Sequence, residues 1–240
     1  MADKKKEAAA EAEAEEGPQG PTGELQPAYT EIIHKRLGGK PRQSFSRVLY
    51  VAQLHEVDPV DIAQEHKKFI DTLTGVTGFM LVQNSCVMNL IEASADDAMS
   101  ILQHAAGITN MPGVRIMVSA EDCPARCWTP WNWREFDTGD GAVVDVKDDL
   151  VNESYAMYSK LLDVGKKLLK DRVSHGELVN ALDKLHENFA DKLPTSERVI
   201  AFAECEDVQS LEEFLELFAS PVQIQLESER AWPMQPLTRY

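Results

Sequence analysis

From Ser46 onward the apolar positions fall into short runs separated by polar turns. RVLYVAQ (47–53) is one such run, with the length and β-rich composition of a buried strand. DPVDIAQEHKKFIDTLT (58–74) changes period. Ile62, Phe69, Ile70 and Leu73 fall near helical spacing, with Asp58 at the N-cap position and Pro59 at the first helical one. Two apolar runs follow, 78–83 and 86–92, joined by a turn at Asn84-Ser85 and entered through a Gly-Val-Thr-Gly corner at 75–78. They predict a pair of strands. ADDAMSILQHAA (95–106) predicts a second helix, opened by acidic residues that suit its dipole, and VRIMVSA (114–120) a fourth strand. The order β-α-β-β-α-β predicts an α+β, ferredoxin-like fold, with two helices on one face of an antiparallel sheet.

Past a Trp-rich segment and a turn, FDTGDGA (136–142), the spacing predicts two more helices, over about 148–171 and about 175–190. The first carries Leu150, Tyr155, Tyr158, Leu161, Leu162, Val164, Leu168 and Leu169 in a broad stripe. The second starts after Ser174, with Glu177 three residues on as a capping-box signal. Two readings of the stripes stand: they fold back onto the chain's own sheet, or they hold a partner. The last fifty residues echo an earlier part of the chain. VIAFAECEDVQSLEEFL (199–215) parallels VMNLIEASADDAMSIL (87–102), each a strand ending in a glutamate (Glu92, Glu204), then an acidic turn and a helix. Each leads on to another strand, VRIMVSA or VQIQLES, and to Arg-x-Trp, at Arg126 and Trp128 or Arg230 and Trp232. The echo predicts a β-α-β half-repeat. The expected organisation is a tail and linker at 1–45, the α/β domain at 46–138, a helical extension at 139–191 and the half-repeat at 192–240.

The tail, MADKKKEAAAEAEAEEGPQG, has no apolar face and no apolar core, so it is expected to be disordered rather than a secretory signal. Net charge is −16, from 40 acidic against 24 basic residues. That balance argues against nucleic-acid binding, which needs cations to replace counterions around phosphate. It suits a basic partner, and equally a plainly solvated surface. No stretch approaches the roughly 20 consecutive apolar residues of a membrane helix, so a soluble intracellular protein is expected. Cys123 and Cys127 form a lone CxxxC, and His175 and His186 lie eleven residues apart, so no metal is expected. No Gly-rich phosphate loop, HExxH or nucleophile elbow occurs, and an enzyme is not expected.

Four pieces in order carry a family likeness: RVLY (47–50), GVTG (75–78), FMLVQNSCVMNLIEAS (79–94) and RCWTPWNW (126–133). With them, residues 47–136 resemble a BLUF domain, the blue-light sensor that uses FAD. The last piece fits the family's late Arg-x-Phe-x-x-Trp-x-Met through Arg126, Trp128, Trp131 and Trp133, with Trp128 in place of Phe and Trp133 in place of Met. The resemblance implies a Tyr–Gln switch beside the flavin, here Tyr50 and Asn89, and a ring-holding Asn pair on the first helix, here Ile70 and Asp71. Asn89 is a methylene shorter than Gln, Ile70 has no polar group and ionised Asp71 only accepts. His104 is the single candidate cation for the cofactor's phosphates on the second helix. No cofactor is therefore expected, and Tyr50 and Asn89 mark a vestigial pocket. Trp128, Trp131 and Trp133 either cover the sheet edge under the 148–171 helix or join Leu161 as partner contacts. Degenerate BLUF-like domains with a late helical extension resemble a eukaryotic group of testis-expressed and cilia- and flagella-associated proteins. That resemblance implies a non-enzymatic structural subunit of an axonemal complex of motile cilia or flagella. It would be a cytoskeletal component, as in a central-pair projection, bound to a larger scaffold and other axonemal proteins. The alternative it leaves is a flavin-binding blue-light sensor with an altered pocket.

Overall fold

Strand β1 (Phe45–Gln53) has a neighbouring strand on each side and helices over both faces, which explains its unbroken apolar run. The computed structural model describes residues 44–136, 146, 149–170 and 175–219. The acidic tail, the FDTGDGA turn after Phe136, Ser174, the VQIQLES strand and Trp232 lie outside the described residues. Around β1 come β2 (Thr77–Gln83), β3 (Cys86–Ala93) and β4 (Arg115–Cys123), in the order β4-β1-β3-β2 and antiparallel throughout. With helices α1 (Pro59–Ile70) and α2 (Ala95–Ala106) at the two crossovers, this is the ferredoxin-like arrangement that the pattern predicts. A fifth strand, β5 (Asn132–Glu135), was not predicted and adds itself parallel to β2 at the far edge.

Local chemistry sets these elements. Asp58 accepts the Val60 N–H at 2.9 Å and Ser94 accepts the Asp97 N–H at 3.1 Å, capping α1 and α2. Helix α1 stops at Ile70, sooner than predicted, and Leu73 lies in the turn that ends at Gly75. Gly78 has φ +144°, and a Cβ there would lie 2.1 Å from the Leu90 carbonyl oxygen, so only glycine lets β2 approach β3 at this point.

The alternation along each strand divides two cores. One face presents Val48, Tyr50, Met80 and Val87 to Ile62 and Ala63 of α1 and to Ile101 and Leu102 of α2. The opposite face presents Leu49, Val51, Leu81 and Leu90 to α3 (Leu150–Lys170), α4 (His175–Asp183), α5 (Leu185–Phe189) and α6 (Ser196–Glu204). Tyr158, Leu161, Val164 and Leu168 are buried in that second core, so the helical stripe closes over the chain's own sheet.

The half-repeat does not begin as predicted. Residues 199–204, expected as a strand, belong to helix α6. Five consecutive apolar and small residues, Val199 to Ala203, do not distinguish strand from buried helix. Val199, Phe202 and Ala203 sit at helical spacing and bury one face. The next element is helical as predicted: α7 (Leu211–Phe218) opens with a full capping box between Ser210 and Glu213. It is tied to the start of β4, where Ile116 N–H donates to Gln209 O and Leu211 N–H to Val114 O, both at 2.8 Å. Leu211 and Phe214 enter the first core.

Candidate functional site

Tyr50 and Asn89 face each other directly across β1 and β3, on the side covered by α1 and α2, and both are fully buried. A single chain of hydrogen bonds passes through them. Trp131 Nε1 lies 3.0 Å from Asn89 Oδ1, Asn89 Nδ2 2.9 Å from the Tyr50 hydroxyl, and that hydroxyl 2.7 Å from His66 Nε2. His66 Nδ1 lies 2.9 Å from the Ile62 carbonyl. An indole N–H only donates and the Ile62 carbonyl only accepts; with His66 neutral, these two ends fix the directions between them. Asn89 must turn its carbonyl to Trp131 and its amino group to Tyr50. The Tyr50 hydroxyl accepts that bond and donates to His66 Nε2. His66 then carries its proton on Nδ1 and donates to Ile62.

Burial shapes the titration of this chain. His66 is pushed down to about 4, mainly because burial disfavours the imidazolium; the Ile62 hydrogen bond opposes the shift and neighbouring His104 adds to it. The neutral tautomer that the chain requires is thus the stable one. Burial pushes the Tyr50 phenol up, against the Asn89 hydrogen bond. His66 escaped the sequence reading. Its signal was its place four residues after Ile62 and four before Ile70 on the buried face of α1. His104 packs edge-on to His66 at 5.7 Å and stacks on Phe69 at 4.3 Å and 6°. Rings from α1 and α2 therefore meet beside the tyrosine, and burial holds His104 below its ordinary pKa, away from the role of a phosphate-binding cation.

These residues do not fit a flavin. The Tyr50 hydroxyl already donates and accepts, and the Asn89 carbonyl is taken by the indole. Ile70 is buried in apolar contacts, while Asp71 points to solvent and pairs through both oxygens with Lys67 at 3.0 Å. Neither can hold a polar ring edge.

The Arg-x-Trp motif belongs to a second buried network, around Glu92. Its carboxylate accepts from Arg47 Nε at 2.8 Å, Thr77 Oγ1 at 2.8 Å, and the backbone N–H groups of Cys127 and Trp128 at 2.8 and 3.0 Å. Arg47 also donates to the Tyr158 hydroxyl and the Ala125 carbonyl, both at 3.0 Å. Arg126 donates to the Glu92 carbonyl at 2.7 Å and lies over the Phe45 ring at 4.2 Å. One carboxylate thus pins the loop before β5 to the sheet and to α3.

That anchoring corrects the expected partner contacts. Trp128 is 1% exposed and stacks on Phe79 at 5.0 Å under α3, and Leu161 is likewise 1% exposed. Trp131 is buried in the Tyr50 network, and Trp133 is half-buried against the same core. Trp128, Trp131 and Leu161 are core residues, because the loop and helix that carry them close over the two faces of the sheet. The four cysteines are buried free thiols, and the described residues hold no group of three or more His, Cys, Asp or Glu suited to a metal ion. No helix among them is long and apolar enough to cross a membrane.

A family model described as testis-expressed protein 47 matches residues 44–220, most of the chain. The chain belongs to that family. The match spans both cores and every described element from β1 to α7, so the testis-expressed protein 47 fold includes the helical layer as well as the sheet. No curated protein matches the chain in sequence. Among solved structures it is similar to Klebsiella pneumoniae BlrP1 in a calcium and cyclic-diGMP complex, with 17% identity and a TM-score of 0.35. That match covers 48% of this chain and 34% of the other, so the chain spans about a third of BlrP1. The BlrP1 BLUF domain matches at 16% and 0.35, covering 47% of this chain and 88% of the other. BlsA in its photo-activated state matches at 12% and 0.35, covering 59% and 94%. Likeness at this level says nothing of a shared ligand.

Proposed function

We propose that this testis-expressed protein 47 family member is a non-enzymatic structural subunit of an axonemal complex in motile cilia or flagella, such as a central-pair projection. It joins a larger scaffold and other axonemal proteins there. The observation that carries the reading is the closure of the Tyr50 hydroxyl between Asn89 and His66. The pair that a light sensor of this fold would turn toward a cofactor is here part of the core. What remains is a domain with a core on each face of its sheet, in a family named for its expression in testis, where flagella are built.

The test is fractionation of isolated flagella carrying the tagged chain. Detergent that removes membrane and soluble matrix should leave it in the axonemal pellet, and high salt should then release it together with its neighbours. Recovery of the chain in the first detergent supernatant would overturn the proposal.

A further inference from the structure

A groove of about 340 Å³ opens between the first half of α2, the start of β1, the exposed half of β4 and the end of α7. Its floor is apolar, formed by Val48, Ala98, Met99, Leu102, Phe214 and Phe218. Phe218 is 54% exposed and Leu217 beside it 65%, so α7 ends in two large side chains that the described residues leave largely uncovered. Exposed apolar surface of this kind, framed by polar residues, marks an interaction site more often than an ordinary surface.

The charges around it have one sign. Among the described residues, α2 carries two carboxylates, β4 two and α7 three. Asp96 on α2 and Glu121 on β4 stand on the groove itself, both exposed. The bordering elements contain two cations. Arg47 is buried and paired with Glu92, and Arg115 sits at the other end of β4, where it donates to the Val208 carbonyl at 3.0 Å. The last turn of α7 has no basic residue, so the negative end of its dipole adds to the same field at Phe218 and Ala219.

From this pairing of an apolar floor with an acidic rim, we infer that the groove docks a basic amphipathic helix of a partner protein. The partner sets two or three apolar side chains onto Met99, Leu102, Phe214 and Phe218 and aligns its lysines or arginines with Asp96 and Glu121. This is recognition of a helix in a groove, with apolar anchors for affinity and charge for register and encounter. The inference deepens the proposed role in an assembly and rests on it only for where the partner resides.

The experiment is a fluorescence-anisotropy titration of the full-length chain with a labelled peptide of about 14 residues, leucine at every third or fourth position and lysine elsewhere. Two controls share its length: one with the same residues in an order that scatters the leucines around the helix, and one with glutamate for lysine. The amphipathic basic peptide should bind about tenfold or more tighter than either control. Phe218→Ala, and separately Glu121→Lys, should each weaken it about tenfold; both residues are exposed, and circular dichroism checks that the variants remain folded. Equal binding of the scattered peptide, or unchanged affinity in both variants, would overturn the docking site. A dimer in sedimentation velocity that Phe218→Asp dissolves would overturn it too, since a second copy would then be the occupant. Failure here with the chain still retained on axonemes would remove this groove and leave the subunit reading in place.

Discussion

His66 holds the position from which a tyrosine of this fold could otherwise address a ligand, and it does so as a neutral ring. Its folded pKa near 4 against an ordinary 6.5 makes stability depend on pH with a definite sign. Below about 6.5 the unfolded chain takes up a proton that the folded chain refuses, so stability falls as pH falls through the window from 6.5 to 4. The loss across the whole window is on the order of 3 kcal/mol. Urea unfolding followed from pH 7 to pH 4.5 should show the midpoint dropping steeply. His66→Gln should start lower at pH 7, because it disturbs the Tyr50 bond, and then fall less steeply. Parallel profiles for the two proteins would mean that the imidazole is not the titrating group.

At the scale of elements, α3 and the Trp128 loop approach closely at Gly165. A Cβ on Gly165 would meet the Cys127 carbonyl oxygen at 2.4 Å and the Trp128 ring at 2.7 Å. Gly165→Ala should therefore cost about 1–3 kcal/mol through overpacking, despite alanine's better helix propensity. Gly176→Ala in α4, where an added Cβ meets nothing within 4 Å, should be neutral or slightly stabilising. Thermal unfolding of the two variants separates the effects, and equal melting temperatures would contradict the close packing. The contrast also shows what was legible in the chain. The Asp58 cap, the acidic opening of α2 and strands with clear turns at their ends are local signals, and the ferredoxin-like order followed from them. Strand β5 is four residues of mixed polarity, and pairing with β2 alone makes it a strand. Helix α6 reads as either period until its contact with the sheet selects one. The Tyr50–Asn89 pair entered through the family resemblance, while His66 carried only the helical spacing that every buried residue of α1 shares, and that spacing does not single it out as the partner that closes the pair.

For the molecule as a whole, the two cores make the sheet dependent on the helices that follow it. Leu49, Val51, Phe79, Leu81 and Leu90 are covered by α3 to α6 and by Trp128. A chain ending at Phe136 would keep every strand among the described residues and expose that entire face. It should fail to give a monomer with cooperative unfolding, as read by gel filtration and circular dichroism, while the full chain should melt in one transition. A folded, monomeric 44–136 fragment would show that the second layer is an appendage. The closed hydrogen-bond chain from Trp131 to Ile62 bears on how such a protein can change over generations. The directions are set from the two ends, the Trp131 indole and the Ile62 carbonyl, so none of the four side chains can be exchanged alone without stranding a buried donor or acceptor. Lineages that alter Tyr50 or Asn89 should therefore be found to alter His66 and Trp131 with them, the four positions drifting as one inherited block.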